Sequence, residues 1–104
     1  MSRPVWGKSE VERIFSHEGI GDQWSGRYEG PEHDLDDHNF RLRRDFAVAL
    51  AEERSGASGL ILDLGCGAGP VLAELRARSL PCVGLDYSAD MLRSATGRLR
   101  KRGL

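Results

Sequence analysis

The chain has 104 residues, of which 39% are hydrophobic and 30% charged, with a formal net charge of −1, the profile of an ordinary soluble globular domain. No basic excess calls for nucleic acid, no apolar run approaches the ~20 residues of a membrane span, and the opening Met1-Ser2-Arg3-Pro4-Val5-Trp6 lacks the apolar core of a signal peptide. Two cysteines, Cys66 and Cys82, provide neither a disulfide framework nor a zinc site, and fit a reducing cytoplasm.

In chain order, Ser9-Glu10-Val11-Glu12 matches a capping box and predicts a short helix over about residues 10–17. Its Val11, Ile14 and Phe15 share one side, and Gly19 and Gly21 end it. Residues 19–38 read as an acidic loop around Pro31. Asp36 or Asp37 is placed to cap a second helix running to about Arg54, with Phe40, Ala47 and Leu50 on its apolar side and Phe46, Ala49 and Ala51 nearby. The stretch 55–59, Ser-Gly-Ala-Ser-Gly, reads as a flexible link. Residues 1–58 thus form a helical segment, and a different kind of sequence begins at 59.

That second part opens with Leu60-Ile61-Leu62, a buried-strand run, then Asp63 and three glycines at alternate positions, Gly65, Gly67 and Gly69. Pro70 suits the first turn of a following helix, where its missing N–H has no partner to lose. A strand entering a side-chain-poor turn and then a helix is how an α/β sheet holds a nucleotide-like ligand, because glycine allows both the sharp bend and close approach. The dinucleotide fingerprint G-x-G-x-x-G would place its third glycine at 70, and no lysine with a hydroxyl follows as in a phosphate-binding loop. A second short strand, Pro81-Cys82-Val83-Gly84-Leu85, ends in Asp86, placed to accept hydrogen bonds from ribose hydroxyls.

The pattern D-x-G-x-G-x-G over Asp63–Gly69 resembles the first motif of class I S-adenosylmethionine-dependent methyltransferases. Gly84-Leu85-Asp86-Tyr87-Ser88-Ala89-Asp90-Met91-Leu92 resembles that family's second motif. The resemblance implies an α/β fold, a Rossmann-like doubly wound parallel sheet, here truncated to about two strands with N-terminal helices. Residues 59–104 would be the first βαβα unit, incomplete because strand 4, the other neighbour of strand 1, comes later in the family. It implies S-adenosyl-L-methionine as cofactor, with Asp63, Gly65, Cys66, Gly67, Gly69, Asp86, Tyr87 and Met91 around it. The glycine turn would present backbone N–H groups and open space to the methionine part, and Asp63 would act on its ammonium. Asp86 would hold the ribose, and Tyr87 and Met91 would flank the adenine. The methyl acceptor would be a small molecule, held mostly by loops after strands 4 to 6, so no catalytic residue is assigned.

Other side chains allow two readings. Trp24 and Tyr28 either form a lid over the donor or pack the helices onto the sheet. Arg41, Arg43 and Arg44 either meet a cofactor carboxylate or line a solvated helix face. His33, Asp34, Asp36, Asp37 and His38 fit a solvated acidic loop better than a metal site, their spacing matching no zinc or calcium pattern. The tail Arg98–Arg102 reads as the basic end of a helix. At the level of the whole chain, a cofactor-binding part of a methyltransferase competes with a truncated, non-catalytic module whose open sheet edges pair with another chain, a second copy included.

Overall fold

A computed structural model describes residues 7–56 and 59–104; Ala57 and Ser58 of the expected link and the first six residues lie outside that description. Seven elements follow in order: α1 (Lys8–Ile14), α2 (Ile20–Gly26), α3 (Leu35–Ser55), β1 (Ile61–Leu64), α4 (Pro70–Ala77), β2 (Cys82–Leu85) and α5 (Ala89–Lys101). The two strands pair in parallel with Ile61 opposite Cys82 and Leu64 opposite Leu85, joined by a crossover through α4. This is the α/β unit expected from the sequence, with helices on one face of a two-stranded sheet. Among the described residues, no helix is long and apolar enough to cross a membrane.

The strand period of two sorts the sheet cleanly. Ile61, Asp63, Cys82 and Gly84 point to the helix-covered face and are partly buried, while Leu62, Leu64, Val83 and Leu85 point to the other and are exposed. On the covered face, α4 buries Leu72, Ala73 and Leu75, and α5 buries Met91 and Ala95. Gly84 is required there, because a Cβ would stand 2.3 Å from Leu72 Cδ1 and 2.8 Å from Cys66 Sγ.

The N-terminal half departs from the sequence reading at several points. Helix α1 starts earlier than expected, at Lys8 with Gly7 as its N-cap, so Ser9 lies inside the helix and makes no cap hydrogen bond. The expected capping box does not form; Ser9 Oγ–H instead donates to Glu10 Oε2 at 3.1 Å. The glycines at 19 and 21 do not simply end α1. Gly19 adopts the left-handed conformation, φ 86°, as the N-cap of α2, and Gly21 is inside α2. Part of the expected 19–38 loop is therefore helical, because α2 gains through tertiary packing what its short sequence lacks in propensity.

That packing is a polar seam with α5. Gly21 N–H donates to Asp90 Oδ2 at 2.8 Å, and Ser94 Oγ–H donates to Asp22 Oδ1 at 3.2 Å. Arg98 Nη2 donates to Ser25 Oγ. Positions 90, 94 and 98 are successive turns of one α5 face. A Cβ on Gly21 would meet Ser94 Cβ at 2.6 Å, so the helices touch backbone to side chain.

The tail forms the basic end of α5 as expected, with Arg98, Arg100 and Lys101 in its last turn, and one of these side chains is buried. Arg98 is only 8% exposed, and its Nε lies 2.8 Å from Glu29 Oε1 as an ion pair rather than an aligned hydrogen bond. Burial holds the Arg98 guanidinium below its usual pKa, with the Glu29 charge opposing.

For α3, the N-cap is Asp34, accepting from Asp37 N–H at 2.8 Å, not Asp36 or Asp37. Asp37 is 3% exposed and accepts from His33 N–H and from Arg27 Nη1. The apolar side expected for α3 is also reversed in part. Val48 is buried, but Leu42, Phe46 and Leu50 lie on an uncovered stripe, Phe46 being 71% exposed.

Candidate functional site

The β1–α4 turn is built from glycines with no alternative. Gly65, Gly67 and Gly69 have φ of 72°, 54° and 78°, the left-handed region that residues with a Cβ rarely occupy. Gly65 N–H and Cys66 N–H both donate to Leu85 C=O, at 2.7 and 3.0 Å, and Gly69 N–H donates to Cys66 C=O at 3.0 Å. Gly67 N–H donates to Asp86 Oδ2 at 2.8 Å, while Asp86 Oδ1 accepts Ser88 N–H at 2.8 Å. Most of the turn's amides are therefore spent inside the chain. The expectation that the turn presents its N–H groups to a ligand is revised: what it offers is chiefly space. A Cβ on Gly65 would meet nothing within 4 Å, and one on Gly67 only Met91 Sδ at 3.9 Å.

That space is a cavity of about 390 Å³, lined by Asp63, Gly65, Cys66, Gly67, Asp86, Tyr87 and Met91 together with Val11, Phe15, Trp24, Tyr28, Ala68, Pro70 and Val71. Of the eight residues singled out from the sequence, seven share this one cavity. Gly69 does not line it; as N-cap of α4 it lies against α5, where a Cβ would stand 2.9 Å from Ala95 Cβ. Ser88, fully buried, caps α5 by accepting from Met91 N–H at 3.2 Å, which places Met91 beneath the cavity.

The two readings of Trp24 and Tyr28 merge. Both line the cavity, and both also pack: Trp24 lies 5.9 Å from Phe15 and meets Phe40 edge-on at 5.4 Å, and Tyr28 lies 6.0 Å from Phe40. Arg27 sits over Trp24 and Phe40 at 5.5 and 5.6 Å, a cation–π arrangement, and pairs with Asp37. Val11 and Phe15 come from the apolar side recognised on the first helix. Their place on the cavity wall depends on α1 folding back over Tyr87, whose hydroxyl donates to Val11 C=O at 3.3 Å, a contact that local sequence does not signal.

The arginines of α3 divide. Arg41 donates to the carbonyls of Arg27, Glu29 and Gly30, tying down the segment after α2. Arg44 pairs with Asp45 at 2.8 Å and reaches Tyr28 C=O at 3.4 Å. Arg43 is exposed. The expected solvated acidic loop is only partly one: Asp34 caps α3, Asp36, Asp37 and His38 belong to that helix, buried Asp37 holds Arg27, and exposed His38 pairs with Glu32. Among the described residues no group of three or more His, Cys, Asp or Glu is placed to hold a metal ion.

Four ionisable groups on the cavity wall are shifted, the Tyr28 and Tyr87 hydroxyls upward by burial and the Asp63 and Cys66 groups as follows. Burial, reinforced by the nearby charge of Asp86, raises the Asp63 carboxyl above its usual value. Burial first, then the charges of Asp63 and Asp86, pushes the Cys66 thiol up to about 11, so it is a neutral, unreactive packing group. Cys66 and Cys82 are both free.

Residues 61–104 match a protein-family model described as a methyltransferase domain. Among solved structures, the chain is similar to magnesium protoporphyrin IX methyltransferase (ChlM) from Synechocystis PCC 6803. Against the form with bound SAM the TM-score is 0.70 at 23% identity, covering 97% of this chain and 50% of that one. Against the form with bound SAH it is 0.70 at 25% identity, covering 91% and 45%. No curated protein matches the chain. The chain spans about half the length of these structures. With its glycine turn, two parallel strands and preceding helices, the chain carries the fold of the part of these methyltransferase structures that it covers, and residues 61–104 match the methyltransferase-domain model.

Proposed function

We propose that the chain binds S-adenosyl-L-methionine as the donor-holding part of a methyltransferase that acts on a small molecule in a reducing, cytoplasmic setting, with residues 1–58 supplying the helical wall over the donor. The observation that carries this reading is the cavity between the glycine turn, Asp86 and Trp24. Its volume of about 390 Å³ is the size range of pockets for drug-sized ligands, enough for one nucleoside thioether. The donor, when bound, supplies a methyl group on a sulfonium. The chain's residues position and shield it. Asp86, at the end of β2, offers lone pairs to ribose hydroxyls beyond the two it uses on Gly67 and Ser88. Met91 and Tyr87 bracket a flat base, and the left-handed glycines let the thioether chain lie against the backbone. Trp24 and Phe15 exclude water, which favours displacement at a charged centre.

Calorimetric titration of the full chain with S-adenosylhomocysteine tests this. Stoichiometric binding is the expected result, and its absence at millimolar ligand ends the reading.

Asp63 makes a separate prediction. It has no hydrogen-bond partner among the described residues, and a carboxyl whose pKa is raised by folding stabilises the fold below its ordinary pKa of 3.8. That contribution is lost as pH rises through the raised value. Asp63→Asn should therefore raise the melting temperature of the ligand-free chain at pH 7, and the gap should close as pH falls below 4. If Asp63 faces the donor's ammonium, the same variant weakens S-adenosylhomocysteine while leaving 5′-methylthioadenosine, which lacks that ammonium, unchanged. Equal loss for both ligands removes Asp63 from that role.

A second reading, a non-catalytic module that pairs through its open sheet, is favoured by the exposed row Leu62, Leu64, Val83 and Leu85. Sedimentation would show a homo-oligomer on that reading, with no binding of S-adenosylhomocysteine.

A further inference from the structure

A second cavity, of about 330 Å³, adjoins the first and shares Tyr28 and Val71 with it. Its remaining walls are Phe40, Arg43, Arg44 and Ala47. Two rings and two small aliphatic side chains make it suited to a flat apolar body.

The charges around it single out one group. Arg27 is neutralised by Asp37, Arg44 by Asp45 and Arg98 by Glu29, and Arg41 is spent on three backbone carbonyls. Arg43 forms no ion pair or side-chain hydrogen bond among the described residues, yet lines the cavity. Its charge is also the largest of the four guanidinium influences on the Tyr28 hydroxyl, each opposing the rise caused by burial. The rim is thus an exposed guanidinium beside an apolar slot, next to the place where a methyl donor would lie.

We propose that this second cavity is the acceptor-side subsite, taking a planar apolar molecule that carries an anionic group, such as an aryl carboxylate, with Arg43 pairing with the anion and the packed Tyr28–Phe40 pair lying against one side of the plane. A guanidinium matches a carboxylate through two parallel N–H donors, whereas an uncharged isostere keeps only the ring contacts. The inference rests on the donor reading for its function, since adjacency matters only if a donor occupies the first cavity.

The test uses the full chain and two probes of equal shape, 2-naphthoate and 2-naphthamide, titrated calorimetrically with and without S-adenosylhomocysteine. The acid should bind about tenfold more tightly than the amide at low salt, the order of one charge-assisted contact, and the preference should shrink with added salt. Arg43→Gln should abolish the preference, Arg43→Lys should retain part of it, and neither should move S-adenosylhomocysteine affinity more than about twofold. Equal binding of acid and amide overturns the proposal. So does competition between naphthoate and S-adenosylhomocysteine. A third overturning result is Arg43→Gln weakening S-adenosylhomocysteine but not 5′-methylthioadenosine, which would assign the guanidinium to the donor's own carboxylate. Failure of the donor reading shows separately, as no binding of S-adenosylhomocysteine to the unaltered chain.

Discussion

Replacing Asp86 with alanine is expected to remove both the order of the glycine turn and the grip on the ligand. Its two oxygens clasp Gly67 N–H and Ser88 N–H at 2.8 Å each, so the carboxylate holds the middle of one loop to the start of the next. Hydrogen bonds to a charged group contribute about 1.5–3 kcal/mol each when both partners remain; with water able to reach this half-buried site, a loss of about 2–3 kcal/mol in total is the reasonable expectation. In a domain of this size that lowers Tm by roughly 10–20 °C. Affinity for S-adenosylhomocysteine should fall by about 100-fold or more, because the ribose loses its acceptor and the turn loses its shape. Asp86→Asn is informative beside it. The amide keeps one oxygen, so whichever of the two N–H groups meets the new NH₂ is left facing a donor, and stability should fall between the other two proteins. Thermal melts and titrations on the three separate the roles. Unchanged melting with lost binding would leave only the ligand contact; lost stability with affinity held within about threefold would leave only the clasp.

That double duty was half visible in the sequence. An acid at the end of a second strand, 21 positions after Gly65, is readable from spacing alone, and so are the glycines whose left-handed φ no other residue adopts easily. These are local facts, dictated by backbone sterics and by the strand–turn–helix order, and they place seven of eight chosen residues around one cavity. What the sequence hides is longer in range. That Asp86 satisfies Gly67 depends on parallel pairing of β1 and β2, which brings the strand ends together. Helix α2 is invisible to propensity because its seven residues include two glycines; it persists through Asp90, Ser94 and Arg98, distant in sequence but adjacent in space. Ser9 matched a capping box by composition, but whether a serine caps depends on where the helix starts, and Gly7 starts it first. In α3 the sequence puts Phe40, Ala47 and Leu50 on the apolar side with Phe46 nearby; Phe40 does pack against Trp24 and Tyr28, but Phe46 and Leu50 are exposed. The buried face instead runs through Asp37, Arg44 and Val48, because Arg27, the C-cap of α2, and the backbone after it supply partners that make polar residues acceptable there.

The same limit applies to glycine itself, and one pair of substitutions exposes it. Gly84→Ala and Gly97→Ala add the same methyl group and should move stability in opposite directions. Gly84 is in β2 with no left-handed φ, so alanine's backbone is at ease there; the obstacle is Leu72 Cδ1 at 2.3 Å and Cys66 Sγ and Cβ at 2.8 and 3.0 Å from the new Cβ. Leu72 and Cys66 are themselves buried, so neither can swing away freely, and overpacking of this kind costs about 1–3 kcal/mol. Because Cys66 is part of the glycine turn, the displacement travels into the cavity, and S-adenosylhomocysteine affinity should fall along with Tm. Gly97 is exposed within α5, and a methyl group added there would meet nothing within 4 Å. There alanine should stabilise by about 0.5–1 kcal/mol, through helix propensity and a less free unfolded chain. Shortening the obstructing side chain supplies the control. Leu72→Val removes Cδ1, so the Gly84→Ala/Leu72→Val pair should be less destabilised than the two single losses combined, by about 1 kcal/mol or more. Strict additivity in urea melts would mean that the strain at β2 is relieved elsewhere, and that the close approach of strand, α4 and turn is not what holds the cavity's floor in place.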